Sequence, residues 1–179
     1  MRIGVYIRPC QTATRYAGIG RYIQDFVREL STRESVHLVL LHDASRPHQH
    51  VLDGLAPMAQ PACLALHLEG VSSDITQRAT GTAIGALGLD WLLIPHLFDD
   101  YTGWLLDAVA PDHRMRRALI HYDLVPLVFP DVYLQSQRYA AFYRACLTNL
   151  SQFDCIASIS EFSKRDLDQH YPELASRSM

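Results

Sequence analysis

The chain has 179 residues, of which 49% are hydrophobic and 20% are charged. At roughly 150 residues per domain, this length predicts a single domain spanning 1–179. The hydrophobic fraction excludes a disordered chain, and a net charge of −3 argues against a dedicated nucleic-acid-binding protein. The apolar run at 1–7 is too short for a signal-peptide core, and the stretch at 84–95 is too short to span a membrane. We therefore expect a cytoplasmic protein.

Short apolar runs alternate with segments of helical periodicity along the chain. Strands are predicted at 2–7, 36–42, 62–68, 90–95, 118–122 and 155–160. Helices are predicted at 20–31, 73–87 and 134–150, and a last helix begins at a capping box of Ser163 and Asp166 and ends before Pro172. This alternation predicts an α/β fold with a Rossmann-like, doubly wound parallel sheet. Such sheets bind ligands at the carboxyl ends of their strands, so the segments that follow each strand are the candidate functional segments.

The first such segment contains two glycines ahead of a helix, in the run Tyr16-Ala17-Gly18-Ile19-Gly20-Arg21-Tyr22. Glycines let the backbone approach a ligand closely, and a helix N-terminus attracts phosphate. Gly18, Gly20 and Arg21 are therefore candidate phosphate-binding residues, against the alternative of a glycine-rich turn without a ligand. A dinucleotide site is disfavoured because Ile23 occupies the third glycine position, although Asp43 follows the second strand as a ribose-binding acid would.

Polar residues also follow the later strands. His121 and Asp123 lie at the end of the fifth strand, in the run Ile120-His121-Tyr122-Asp123-Leu124-Val125-Pro126. Imidazole titrates near neutral pH, so His121 is a candidate hydrogen-bond donor or acid–base group; a histidine that only ends a strand is the alternative. His96 follows the fourth strand. The third motif, Ser160-Glu161-Phe162-Ser163-Lys164-Arg165-Asp166-Leu167, is by itself typical of an ordinary helix start.

The remaining polar clusters favour structural roles. We expect no metal, because His42, His48 and His50 lack a supporting third ligand, and Asp99-Asp100 is interpreted as a loop. Cys63, Cys146 and Cys155 lie in apolar runs and are predicted to be reduced core residues. A basic patch is interpreted as a solvated strand edge or as a peripheral contact with the inner face of a membrane; its members are His113, Arg114, Arg116 and Arg117.

Taken in order, the three motifs resemble the amino-terminal half of the family-four (group 1) retaining glycosyltransferases. The resemblance implies one half of a GT-B fold, in which two Rossmann-like domains face each other across a cleft. It places Gly18, Gly20 and Arg21 near the donor phosphates and His121 at the reacting centre as the catalytic residue. The resemblance also implies that five further residues line the cleft: His96, Asp123, Ser160, Glu161 and Ser163. The donor would be GDP-mannose or a UDP-sugar, with no tightly bound cofactor, and the acceptor a saccharide or glycolipid of polysaccharide biosynthesis.

The chain departs from that family in its glutamates. The family's carboxyl-terminal half carries a pair at a fixed spacing, which no pair reproduces among Glu29, Glu34, Glu69, Glu161 and Glu173. We therefore expect an N-terminal, acceptor-side domain whose C-terminal donor-binding domain is absent from this chain and which is inactive alone. A non-catalytic Rossmann-like binding or scaffolding module and a small nucleotide-binding protein stay open as alternatives.

Overall fold

A computed structural model of the chain describes residues 1–55, 61–68, 74–109 and 114–179. Within these ranges six strands form one sheet, in which every pairing is parallel. The strands are β1 (Arg2–Tyr6), β2 (His37–Asp43), β3 (Ala62–Leu66), β4 (Trp91–Ile94), β5 (Arg116–His121) and β6 (Cys155–Ser158). Their order is β3-β2-β1-β4-β5-β6, so the direction of strand addition reverses between β1 and β4. The predicted Rossmann-like, doubly wound α/β fold is confirmed.

Helices connect the strands within the described residues. They are α1 (Gly18–Ser31), α2 (Gln49–Leu52), α3 (Asp74–Gly85), α4 (Thr102–Ala108), α5 (Val125–Val128), α6 (Pro130–Tyr133), α7 (Gln137–Thr148) and α8 (Glu161–His170). The four long helices correspond to the predicted ones, although α1 begins at Gly18 rather than at residue 20. The predicted start of α3 at residue 73 lies outside the described residues.

The helices cover both faces of the sheet, and each face has its own apolar core. On one face, Ile23 and Val27 of α1 pack against Val5 and Leu40 of the sheet. On the other face the core includes buried side chains from four helices: Ile84, Leu105, Tyr143, Leu147 and Leu167. A sheet that is covered on both faces needs continuous apolar strands, and β2 is buried from Leu38 to its end.

Two structural expectations from the sequence are wrong. Cys63 is exposed, because it lies on β3 at the edge of the sheet, whereas Cys146 is buried as predicted and Cys155 is half-buried. Arg117 does not belong to a surface patch: it is buried, its Nη1 donates to Gln152 Oε1 at 2.8 Å, and its Nη2 donates to the Val109 carbonyl.

The rest of the predicted basic patch is only partly described. The guanidinium of Arg116 lies 5.6 Å from the centre of the Trp91 ring, and His113 lies outside the described residues. In the part of the chain that the structure describes, no helix is both long enough and apolar enough to cross a membrane.

Candidate functional site

The three sequence motifs meet at Tyr122, just beyond the carboxyl end of β5. The ring of Tyr122 stands edge-on to the ring of Tyr22 in α1, with 5.7 Å between the centres. The Tyr122 carbonyl accepts a hydrogen bond from the hydroxyl of Ser163 in α8. One residue earlier, the carbonyl of His121 accepts from the backbone amide of Ile159 at 3.0 Å. The structure therefore brings the glycine segment, the histidine segment and the start of α8 together at one edge of the sheet.

The N-terminus of α1 offers free backbone amides at this edge. Ala17 precedes the helix and supplies no side-chain cap, and the first helical bond runs from the Arg21 amide to the Ala17 carbonyl at 3.3 Å. Among the described residues, no acceptor bonds the amides of Gly18, Ile19 and Gly20. Unpaired amides together with the helix dipole form an anion site, and the exposed side chain of Arg21 lies in the same turn. The sequence prediction of a phosphate-binding segment is thus compatible with the geometry.

The two glycines of this segment have different structural roles. A Cβ on Gly20 would lie 2.4 Å from the Thr14 carbonyl oxygen and 2.4 Å from the Arg15 Cα, both in a 3₁₀ turn at Ala13–Tyr16. A Cβ on Gly18 would meet nothing within 4 Å. Gly20 is therefore required for packing of the turn against the helix, whereas Gly18 leaves the helix end open.

Gly20→Ala should lower the free energy of unfolding by about 2 kcal/mol, because the methyl group would displace backbone atoms that cannot rotate away. Gly18→Ala is the matched control, and it should leave stability unchanged or raise it by less than about 1 kcal/mol. Urea denaturation of both variants measures the difference. Equal stability of the two variants would contradict the close packing at Gly20.

His121 is buried at the end of β5, with 4% of its surface exposed. Its Nδ1 lies 3.2 Å from the Ser158 hydroxyl oxygen, and its Nε2 is buried without a hydrogen-bond partner among the described residues. Burial lowers the pKa of His121, while the charges of Asp123 and Asp166 act in the opposite direction. The ring is therefore neutral at pH 7. A buried nitrogen without a partner costs about 1–3 kcal/mol, which a ligand atom would recover.

His96 and Asp123 lie at the same edge of the sheet as His121, beyond the carboxyl ends of β4 and β5. His96 follows β4 and is half-buried; its Nδ1 has no partner in the described part of the chain, and its ring centre lies 6.1 Å from that of Tyr122. Burial lowers the pKa of His96, against the charges of Asp99 and Asp123. Asp123 is exposed, and its Oδ1 accepts from the Val125 amide at 3.0 Å.

The start of α8 differs from the predicted capping box. Ser160, not Ser163, is the N-cap: its extended backbone precedes the helix, and its Oγ accepts from the Ser163 amide at 3.1 Å. The Ser163 side chain is buried and bonds the Tyr122 carbonyl, so it fastens β5 to α8 rather than standing free in a cleft. Ser160 and Glu161 are exposed at the helix start, where a ligand could reach them.

A buried ionic network supports the glycine segment, and sequence reasoning missed it. The Arg8 guanidinium donates to Asp99 Oδ2 at 2.5 Å and to Asp43 Oδ2 at 3.3 Å. The Tyr6 hydroxyl donates to Asp99 Oδ1 at 3.0 Å. Burial is the largest single influence and acts to lower the pKa of Arg8, but Asp99, Tyr6 and Asp43 together outweigh it, so the pKa of Arg8 is raised. One signal was available: Arg8, Asp43 and Asp99 each lie at or just beyond the carboxyl end of a strand.

This network also decides against a dinucleotide site at Asp43. The Asp43 carboxylate accepts from Ser45 Oγ at 2.7 Å and is paired with Arg46 at 3.3 Å in addition to Arg8. The pKa of Asp43 lies below its ordinary value: burial acts to raise it, but these hydrogen bonds and the charge of Arg8 prevail. With its oxygens engaged inside the fold, Asp43 is not available to bind a ribose.

Of the three histidines on and after β2, His42 and His48 are in ring contact and His50 lies against the backbone of Cys10. The rings of His42 and His48 stack with 3.8 Å between their centres, and Nε2 of His50 lies 2.8 Å from the Cys10 carbonyl. Within 1–55, 61–68, 74–109 and 114–179, no group of three or more histidine, cysteine or acidic side chains is placed to hold a metal ion.

Comparison of the chain with models of known protein families and with curated proteins finds no match. The functional assignment therefore depends on the geometry of the site and on the resemblance of its three motifs.

Proposed function

We propose that the chain is the acceptor-side domain of a retaining glycosyltransferase, which transfers a hexose from a nucleotide-sugar to a polysaccharide or glycolipid acceptor. One observation carries the proposal: the three motifs that resemble the family-four enzymes, although far apart in the sequence, meet at Tyr122. Their meeting point is the carboxyl edge of a parallel sheet, next to the reversal between β1 and β4, where Rossmann-like folds bind ligands.

The site is suited to the charge that develops in this reaction. A nucleoside diphosphate gains negative charge as the glycosidic bond breaks, and the free amides at the open start of α1, from Gly18 onward, with the Arg21 side chain would stabilise it. His121 would contact the donor sugar through its unpartnered Nε2. The domain would contribute by positioning the acceptor hydroxyl and the leaving phosphate.

A second, donor-binding domain would cover this edge of the sheet. Exposed apolar side chains lie beyond the carboxyl ends of three strands: Tyr16 after β1, Phe129 after β5, and Ile159 and Phe162 after β6. Exposed apolar groups at one edge are typical of an interface. Closure of the two domains over the cleft would then form part of catalysis. The proposed enzyme would act in the cytoplasm, on the inner face of the membrane.

Sugar transfer by the complete reading frame tests the proposal. The complete protein should convert GDP-mannose or a UDP-sugar in the presence of a saccharide acceptor, whereas residues 1–179 alone should not, and mass spectrometry of the products measures this. Transfer by the isolated chain would contradict the need for a second domain. Absence of transfer with every donor would favour the alternative, a non-catalytic Rossmann-like binding or scaffolding module.

Titration with GDP, UDP and NAD separates the nucleotide classes. Calorimetry should show weaker binding of NAD than of GDP or UDP, because Asp43 is engaged by Arg8 and Arg46. Tight binding of NAD would contradict the glycosyltransferase proposal.

A further inference from the structure

We propose that the stacked rings of His42 and His48, here named the histidine stack, form a pH-sensitive latch that holds the start of α2 against the end of β2 and opens in mild acid. The inference concerns a conformational change within this domain, and it does not depend on sugar transfer. It uses two histidines that have no part in the proposed function.

The histidine stack joins a buried ring to a half-buried one. His42 lies near the end of β2 and is 7% exposed, whereas His48 lies directly before α2 at the surface. The ring centres are 3.8 Å apart, and the ring planes are inclined by 26°. The carbonyl of His48 also accepts from the Val51 amide at 2.9 Å, which closes the first turn of α2. A movement of His48 would therefore uncover His42 and release this turn.

Two fixed points confine such a movement to the residues around His48. On one side, Nε2 of Gln11 donates to the Arg46 carbonyl at 2.9 Å. On the other side, Nε2 of His50 lies 2.8 Å from the Cys10 carbonyl. A carbonyl oxygen can only accept, so this nitrogen carries a proton whether the His50 ring is neutral or charged. Neither contact needs a group that acid would protonate, which leaves the histidine stack as the pH-sensitive contact of the three.

The stacked arrangement disfavours additional protons. Nδ1 of His42 lies 3.3 Å from the Asp43 carbonyl, which can only accept, so Nδ1 carries the proton of the neutral ring and Nε2 would receive the next one. That next proton would place a cation on a ring that is almost entirely shielded from water. If His48 were charged as well, two like charges would face each other across 3.8 Å.

The surrounding charges do not remove this bias. Burial lowers the pKa of His42, and His48 acts in the same direction, whereas the carbonyl and the charge of Asp43 act to raise it. The Asp43 carboxylate is itself paired with Arg8 and with Arg46, at 3.3 Å each. The other charged or titratable side chains on neighbouring elements are Arg28 on α1, His50 and Asp53 on α2, Cys63 on β3 and His67 after β3. The net result is a His42 ring that stays neutral while it is stacked.

Opening therefore takes up protons as the pH falls. In an open form, imidazoles in water titrate near their ordinary pKa of about 6.5. The closed form is fully favoured above this pH, and it loses that advantage as the pH falls from about 6.5 toward the lower pKa of the stacked His42. For one proton taken up on opening, the ratio of open to closed molecules rises by at most about tenfold per pH unit.

Hydrogen exchange at the Val51 amide tests the latch, because this amide donates to the His48 carbonyl. After correction for the intrinsic exchange rate, the protection of Val51 should fall roughly fivefold or more between about pH 7.5 and 5.5. The Leu40 amide, in the buried middle of β2, is the internal control and should keep its protection. Unchanged protection of Val51, or equal losses at both amides, would overturn the proposal.

Two variants of His48 separate proton uptake from packing. His48→Phe keeps an aromatic ring over His42 but takes up no proton, so it should reduce the loss of Val51 protection in acid by roughly threefold or more. His48→Gln removes the ring, so Val51 should be poorly protected already at about pH 7.5, and the pKa of His42 measured by NMR should rise.

His37→Gln is the matched control, because His37 is exposed at the opposite end of β2, and this variant should behave as the unmodified chain does. A loss of Val51 protection in His48→Phe equal to that of the unmodified chain would overturn the proposal. Full protection of Val51 in His48→Gln would overturn it as well, since the ring would then not hold the start of α2.

Discussion

Arg8→Met should lower the free energy of unfolding by about 3–5 kcal/mol. Methionine fills a similar volume but leaves Asp99 without its cation in the protein interior, where the Arg8 and Asp99 side chains are only 6% and 5% exposed. Asp43 keeps Arg46 and Ser45, so the loss falls mainly on Asp99. Arg8 begins a 3₁₀ turn at Arg8–Gln11, which contacts both the Ala13–Tyr16 turn and α1. The variant should therefore also weaken the packing behind the N-terminus of α1.

Urea denaturation measures this loss, with Arg28→Met as its matched control. Arg28 pairs with Asp25 on the surface of α1, where the two side chains are 52% and 68% exposed, so its replacement should cost less than about 1 kcal/mol. Adding Asp99→Asn to Arg8→Met should recover part of the stability, because it removes the stranded charge. A similar cost for Arg8→Met and Arg28→Met would show that burial does not strengthen the Arg8 pair.

Under the proposed function, His121→Ala should reduce sugar transfer by the complete protein by roughly 100-fold or more, the scale on which removal of one transition-state hydrogen-bond donor acts. Among the described residues Nε2 of the ring has no partner, whereas Nδ1 contacts the Ser158 hydroxyl, so part of the effect should fall on the reaction and part on folding. Steady-state kinetics with the nucleotide-sugar measures the change in kcat, and urea denaturation checks that the variant is folded.

The control for this variant is His170→Ala, which removes an exposed histidine from the last turn of α8 and should leave turnover unchanged. His121→Asn offers a second test with a smaller cavity and a retained polar group. Near-normal turnover of both His121 variants would contradict the proposed catalytic role of His121.

The strands of the sheet could be predicted because the burial of a strand leaves a recognisable pattern within a short run of sequence. A strand buried on both faces is an uninterrupted apolar run, so β2 and the other strands could be placed to within a few residues. Helix α1 was equally visible through the spacing of Ile23 and Val27. By contrast, α5 and α6 have four residues each, which is little more than one turn and too short to show a helical period.

The place of the candidate residues in the fold was predictable, but their supporting contacts were not. His121 and Gly20 were predicted to follow strands, and the structure places them beyond the carboxyl ends of β5 and β1. The Arg8 network was not found, since its partners lie 35 and 91 positions away and only the folded sheet brings them together. Ser158 appeared as an ordinary strand residue, because its relation to His121 depends on the register of β5 and β6.

The separation of Arg8 from Asp99 also sets an order of events during synthesis. At about 5–20 residues per second, a ribosome needs roughly 5–20 s to add the 91 positions between the two residues. The first three strands emerge earlier, but β1 lacks β4 as a neighbour until residues near 91 have been made. The turn behind Gly20 cannot acquire its final support before that moment. On a growing chain, the N-terminal end of α1 is therefore translated early and completed late.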